Sequence, residues 1–180
     1  MRSGDRVNGV QLITGLVFLV AGISIYMLVR GGTLPYLPEA WVVHGLFPYH
    51  ITYLTNQLPT FTHLIAFTLF TASLLGGGRR SAVLICLFWL FIETVFETAQ
   101  HPLISGWLVP RIPHWFENIA LLDNTRGFLT RSTFDLLDIV AAVIAALLAY
   151  VIIRITDTQR LFFKSKVTQK HAMDMKRSII

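Results

Sequence analysis

Charged residues and cysteine are both scarce in this chain. Only 14% of its 180 residues are Asp, Glu, Lys or Arg, and it has a single cysteine. Because soluble domains carry roughly a quarter of charged residues, the composition excludes an ordinary soluble domain. One cysteine excludes an intrachain disulfide and a cysteine cluster for zinc or an iron–sulfur group. Cys86 lies inside an apolar run, so we expect it to be a small core residue.

The chain contains long apolar runs, and 54% of its residues are hydrophobic. Since a membrane-spanning helix needs about 20 residues, the chain has room for about four spans with short connections. The sequence predicts an all-α integral membrane protein, a four-transmembrane-helix bundle in one domain over residues 1–154. We predict the spans at about 10–29, 60–76, 81–99 and 135–154, with a basic cytoplasmic tail over 155–180.

The first apolar run has two interpretations. Arg2 and Arg6 precede it, which is also typical of a signal peptide. The run is long for a signal peptide, however, and it ends at Arg30 without a small-x-small cleavage pattern. We therefore predict a retained first span.

The basic residues predict the orientation of the bundle. Cytoplasmic ends of spans are rich in Lys and Arg, and in a four-span arrangement most of these residues fall on one side: Arg2, Arg6, Arg79, Arg80, Arg154, Arg160, Lys164, Lys166, Lys170, Lys176 and Arg177. Both termini are thus predicted in the cytoplasm. This placement beside spans does not resemble a binding groove for nucleic acid, so we expect no nucleic-acid partner.

Two long loops, residues 31–60 and 102–134, are then predicted outside. The first is rich in proline and aromatic residues, and a short interfacial helix near Trp41 would suit the headgroup level. In the second, Pro102 and two later prolines break the chain early, and residues 114–128 have the periodicity of a surface helix. On the inner side, the three glycines from Gly76 to Gly78 predict a tight turn between antiparallel neighbouring helices.

The third span carries an unusual polar stripe near its end. At about 100° per residue, Glu93, Glu97 and Gln100 lie on one face of the helix, with His101 at its edge. Carboxylates at membrane depth are costly and normally face a protein interior or a wet cavity. Two carboxylates one turn apart repel each other, so one is expected to hold a proton unless a cation intervenes.

Other polar residues are predicted at the same membrane depth. His63 begins the second span, and Asp135 and Asp138 begin the fourth, where a continuous helix would put Arg131 on the same face. The sequence therefore predicts an outward-facing polar pocket formed by His63, Glu93, Glu97, Gln100, Arg131, Asp135 and Asp138. Structural roles are the alternative: Asp135 in a capping box with Ser132, His63 as an interfacial side chain and Arg131 as an ordinary loop cation.

The same residues resemble a known family. A histidine that opens one helix, a Glu-x-x-Gln near the end of the next, and an Arg before an Asp-x-x-Asp are similar to the VanZ-like family of small bacterial membrane proteins. Here they are His63, Glu97 with Gln100, Arg131, and Asp135 with Asp138, and the resemblance covers roughly residues 58–150. The family's last helix carries Asn and Gly where this chain has Ala142 and Ala145. The resemblance implies a protein associated with the cell envelope, and the family has no settled biochemical activity.

Two functions fit this sequence about equally. In the first, the pocket binds or modifies an envelope lipid or its headgroup, with Arg131 holding an anionic group and the carboxylates and His63 acting as acid and base. In the second, the chain is a non-catalytic accessory subunit that contacts a larger membrane complex through its outer loops and its Ala-rich fourth span.

Metal and transport functions are less favoured. Five histidines lie on the predicted outer side, and His101 follows Glu97 by four residues, but the Glu-x-x-His spacing of di-iron helices is missing. We therefore predict no metal and no cofactor. A channel or transporter is disfavoured because the chain has no inverted repeat.

Overall fold

The computed structural model describes residues 7–30, 57–76, 78–120, 122–131 and 133–177, and most of these residues are helical. Six α-helices lie in these ranges: α1 (Gly9–Arg30), α2 (Leu58–Leu75), α3 (Arg79–Ala99), α4 (Pro102–Leu108), α5 (Thr125–Arg131) and α6 (Leu136–Arg177). Two short 3-10 helices, Val109–Arg111 and His114–Asn118, lie between α4 and α5. The all-helical class predicted from the sequence is confirmed for these residues.

Three of the helices are long and apolar enough to cross a membrane. They are α2, α3 and the Leu136–Gln159 part of α6, and their outward faces carry large apolar side chains such as Leu84 and Phe91. The apolar Gly9–Ile25 part of α1 is shorter. The chain is therefore a multi-pass membrane protein, and a fourth span at α1 stays a prediction.

Close contact between α1 and α2 depends on two glycines. A Cβ atom added at Gly22 would lie 2.3 Å from Thr62 Oγ1, and one added at Gly15 would lie 2.9 Å from the Phe70 ring. Small residues at such positions let two membrane helices approach each other closely. The seven-residue spacing of the glycines puts both on the face of α1 that contacts α2.

The turn between α2 and α3 forms as predicted. Gly76 has a φ of 62°, a left-handed conformation that glycine adopts without steric cost, and its N–H donates to Ala72 O. The two helices are neighbours along their length, because Trp89 Nε1 donates to Thr71 Oγ1 over 2.9 Å and the Trp89 ring stacks on Phe67.

The alanines of α6 form the surface on which α2 and α3 pack. Ala142, Ala145, Ala146 and Ala149 are all buried, together with Leu69 of α2. Small side chains at these positions bring the helix backbones together and increase dispersion contacts.

The last helix, α6, continues past Arg154, the predicted end of the fourth span, and ends at Arg177. Residues 155–177 contain neither glycine nor proline, so nothing in the backbone chemistry ends the helix there. At 1.5 Å per residue, the 42 residues of α6 span about 60 Å, roughly twice the thickness of a bilayer's hydrocarbon core. The segment predicted as a polar tail is thus helical over most of its length.

The connection between α3 and α6 also differs from the prediction. Pro102 does not break the chain but begins α4, where a proline in the first turn is favourable. The single surface helix predicted over residues 114–128 is wrong, because the chain turns at Asp123 and Asn124 before α5 begins. The Asn124 N–H donates to Asp123 Oδ1, a local bond that competes with helix formation.

A second polar cluster, which the sequence did not predict, lies where α1 begins and α2 ends. Gln11 is only 1% exposed, and its Nε2 donates to Thr156 Oγ1 over 2.9 Å and to Asp157 Oδ1 over 3.1 Å. The Asn8 N–H donates to Ser73 O. These bonds connect α1 with α2 and α6 at the end of the bundle opposite to Glu97.

A double-mutant cycle on Gln11→Leu and Thr156→Val measures the strength of this connection. We expect a coupling energy of about 0.6–1.7 kcal/mol in thermal or denaturant unfolding in detergent, the range of interhelical hydrogen bonds in membrane proteins. Thr158→Val is a matched control, because Thr158 Oγ1 donates only within its own helix, to Arg154 O. A coupling near zero would mean that α1 is not held by this bond.

Candidate functional site

The buried carboxylate of Glu97 is the centre of the polar site. Glu97 lies in the last turn of α3 and is 4% exposed. Its Oε1 accepts a hydrogen bond from the Asp135 N–H, and its Oε2 accepts one from Gln100 Nε2 over 3.1 Å. A buried carboxylate needs such donors, because leaving it without them is costly.

Asp135 connects three helix ends. Its N–H donates to Glu97 at the end of α3, its Oδ2 accepts from Gln57 Nε2 at the start of α2 over 3.0 Å, and its Oδ1 accepts from the Leu137 N–H over 2.9 Å. The last bond makes Asp135 the N-cap of α6. Asp135 therefore caps the helix by itself, instead of completing a box begun at Ser132, which lies outside the described residues.

Two further carboxyl groups lie near this junction. Glu93 is half-buried one turn before Glu97, its carboxyl group bonds with the side chain of Thr60 on α2, and it lies within electrostatic range of Glu97 and Asp138. Asp138 is half-buried in the first turn of α6. Four acidic side chains therefore lie close together where α2, α3 and α6 meet: Glu93, Glu97, Asp135 and Asp138. The sequence predicted that these four residues would lie together.

A groove of about 550 Å³ opens beside the junction. It lies between the end of α3, the short helices α4 and α5, and the segment before α6. Its lining is both polar and apolar: Gln100, His101, Pro102, Ser105, Gly106, Val109, Pro110, Leu129, Thr130, Thr133 and Phe134. The volume is within the roughly 300–1,000 Å³ that is usual for sites of small ligands.

Gln100 connects the groove to the buried carboxylate. It lines the groove, while its Nε2 donates both to Glu97 Oε2 and to Phe96 O, over 3.1 and 3.3 Å. Since both amide hydrogens are used, the Oε1 atom is left as an acceptor. The arrangement fixes which end of the Gln100 amide can meet a bound molecule.

The structure places two other predicted pocket residues, His63 and Arg131, on α2 beside α1 and at the end of α5. The imidazole of His63 is next to α1, since a Cβ atom at Gly22 would lie 3.4 Å from His63 Nε2, and the ring lies 6.3 Å from that of Phe67. Arg131 is exposed at the end of α5. Because α5 ends at Arg131 and α6 begins at Leu136, no continuous helix puts Arg131 on one face with the aspartates, and that expectation is wrong.

The described histidines do not form a metal site with other ligand residues. Among the described residues, no group of three or more His, Cys, Asp or Glu side chains is arranged to hold a metal ion. His101 lines the groove, with its ring centroid 5.5 Å from that of Phe134. His44 and His50, with the interfacial helix predicted near Trp41, lie outside the described residues.

Sequence reasoning missed several residues of the site. Gln57 and Thr60 are polar residues at the start of α2 and contact the acidic cluster. Their place just before an apolar helix was a usable signal, because that end of α2 lies at the same depth as the end of α3. The groove residues on α4 and α5 gave no such signal, since they come together only through the turns between short helices.

Comparison with known protein families, curated proteins and solved structures found no match to this chain. The described arrangement can bind a polar group in the groove and can hold acidic hydrogen-bond acceptors directly behind it.

Proposed function

We propose that the chain is a VanZ-like protein of the bacterial cell envelope whose groove binds the headgroup of a membrane lipid, or modifies it. The observation that carries this proposal is that Gln100 belongs both to the groove and to the Glu97 junction. A groove that mixes apolar and polar side chains suits a molecule that is partly apolar and partly polar.

In this proposal the protein has four spans, with α1 as the first, and lies in the inner membrane. The excess of Lys and Arg near one end of the bundle supports cytoplasmic termini and an outward-facing site. The acidic side chains would then act as proton acceptors or donors for a bound headgroup.

Co-purified lipid tests this function. We expect native mass spectrometry of the protein, purified from its membrane in nanodiscs, to show one bound lipid that is lost from Gly106→Trp. Gly106 lines the groove and has nothing within 4 Å of its Cβ position, so a side chain can start there, and the bulk of tryptophan is meant to occupy the groove. Leu103→Trp is the matched control, because Leu103 is on the same helix, 80% exposed and not a groove residue. Equal lipid in wild type and Gly106→Trp would contradict the proposal.

A non-catalytic accessory subunit is the second proposed function. Trp107 and Trp115 lie in the connection between α3 and α5, and both are more than half exposed. Exposed tryptophans are frequent anchors of protein interfaces. In this case the same purification yields larger membrane subunits in fixed stoichiometry, and Trp107→Ala or Trp115→Ala releases them.

A further inference from the structure

Two of the three hydroxyl groups that line the groove, those of Ser105 and Thr130, are already committed as donors. Thr130 Oγ1 donates to Arg126 O over 3.0 Å and lies 3.1 Å from Gly127 O, and Ser105 Oγ donates to Pro102 O over 3.4 Å. Each hydroxyl has one hydrogen and two lone pairs, so both oxygens are left to accept.

Gln100 is also left with an oxygen that can accept a hydrogen bond. Its two amide hydrogens point to Glu97 and to Phe96 O, which leaves its Oε1 atom as an acceptor. Five polar side chains line the groove, the other two being His101 and Thr133, and three of them therefore present acceptor oxygens: Gln100, Ser105 and Thr130.

The charge around the groove disfavours an anion. None of the described residues that line it is Asp, Glu, Lys or Arg, and the acidic junction at Glu97 lies directly behind Gln100. An anionic phosphate would meet acceptor oxygens and the repulsion of nearby carboxylates. Arg131, which the sequence suggested as the anion ligand, is exposed and does not line the groove.

We infer that the groove selects a lipid headgroup that donates hydrogen bonds and carries no net negative charge. Two kinds of headgroup have this chemistry, a neutral sugar with its hydroxyls and an ethanolamine with its ammonium group. The inference rests on the proposed function, because it names the ligand class of the same groove.

Phosphatidylethanolamine and phosphatidylcholine form a decisive pair. They share the phosphate and differ in the N–H donors, which the trimethylated choline lacks. In nanodiscs of defined composition, we expect native mass spectrometry to show phosphatidylethanolamine or a monoglucosyl diacylglycerol retained about tenfold over phosphatidylcholine, the effect of one or two net hydrogen bonds. Phosphatidic acid, an anion, should be retained least.

Removal of the acceptor oxygens tests their part in this preference. In the double variant Ser105→Ala/Thr130→Val, the ratio of donor-headgroup retention to phosphatidylcholine retention should fall close to one. The retention of phosphatidylcholine itself should stay unchanged. Thr98→Val is the control, because Thr98 is exposed on α3, bonds only to Thr94 O and is not a groove residue.

The outcomes separate the inference from the proposed function. Retention of either donor headgroup supports the inference, and the stronger of the two identifies the source of the donors. Phosphatidic acid or phosphatidylcholine retained best, and lost from Gly106→Trp, would overturn the inference while the groove still binds lipid. If none of these lipids is retained, both the inference and the proposed function fail.

Discussion

Replacement of Glu97 by alanine is expected to lower the free energy of unfolding by about 3 kcal/mol. The change leaves the Asp135 N–H and the Gln100 amide without their acceptor at a site that is 4% exposed. Each donor left unsatisfied in a buried region costs about 1–3 kcal/mol. Because these bonds connect the end of α3 with the start of α6, their loss should weaken the contact between the two helices. Thermal unfolding in detergent measures it.

Glu97→Gln is the matched control for this effect. A glutamine at this position can accept from the Asp135 N–H with its oxygen and donate to Gln100, provided the Gln100 amide turns over. The bonds of position 97 to the Asp135 N–H and to Gln100 are then kept, and the longer bond from Gln100 Nε2 to Phe96 O is lost. We therefore expect the free energy of unfolding to stay within about 1 kcal/mol of wild type. A Glu97→Ala protein as stable as wild type would contradict this account of the junction.

Gly22→Ala is expected to separate α1 from α2, with a loss of about 2–3 kcal/mol as is usual for overpacked sites. The added Cβ atom would lie 2.3 Å from Thr62 Oγ1 and 3.2 Å from Thr62 Cβ. Thr62 cannot simply rotate away, because its hydroxyl hydrogen-bonds to Leu58 O and the side chain is buried. Chemical or thermal unfolding in detergent measures the change.

Two further variants show whether this clash is the cause. Gly9→Ala should be neutral or slightly stabilising, because nothing lies within 4 Å of its Cβ position and alanine has the higher helix propensity. In a Gly22→Ala background, Thr62→Ala removes the clashing hydroxyl and should restore part of the lost stability. If Gly22→Ala and Gly9→Ala had the same free energy of unfolding, α1 and α2 would not be in the close contact described.

The long helices and the acidic stripe could be predicted from the sequence because both follow local patterns. Apolar runs predicted α2 and α3 closely, and three glycines predicted the turn between them. The three- and four-residue spacing of Glu93, Glu97 and Gln100 put them on one face, and membrane depth alone predicted that Asp135 and Asp138 would meet them.

Chain breaks and contacts through turns could not be predicted in this way. Arg131 seemed part of the helix of Asp135 because their spacing is helical, but Asp135 caps a new helix with its own side chain and so excludes that continuation. His63 shares the depth of the acidic cluster but is next to Gly22 of α1, and depth does not specify the direction of a side chain around a helix.

The most direct test is to compare lipid preference in wild type and in the stable variant Glu97→Gln. If the Gln100 amide turns over in that variant, it presents its NH₂ group to the groove where wild type presents an oxygen. We therefore predict that native mass spectrometry in nanodiscs finds the preference for phosphatidylethanolamine or monoglucosyl diacylglycerol over phosphatidylcholine reduced several-fold in Glu97→Gln, with thermal stability nearly unchanged. A Glu97→Gln protein that folds normally and keeps the full wild-type preference would contradict the claim that the buried carboxylate and the groove act as one site.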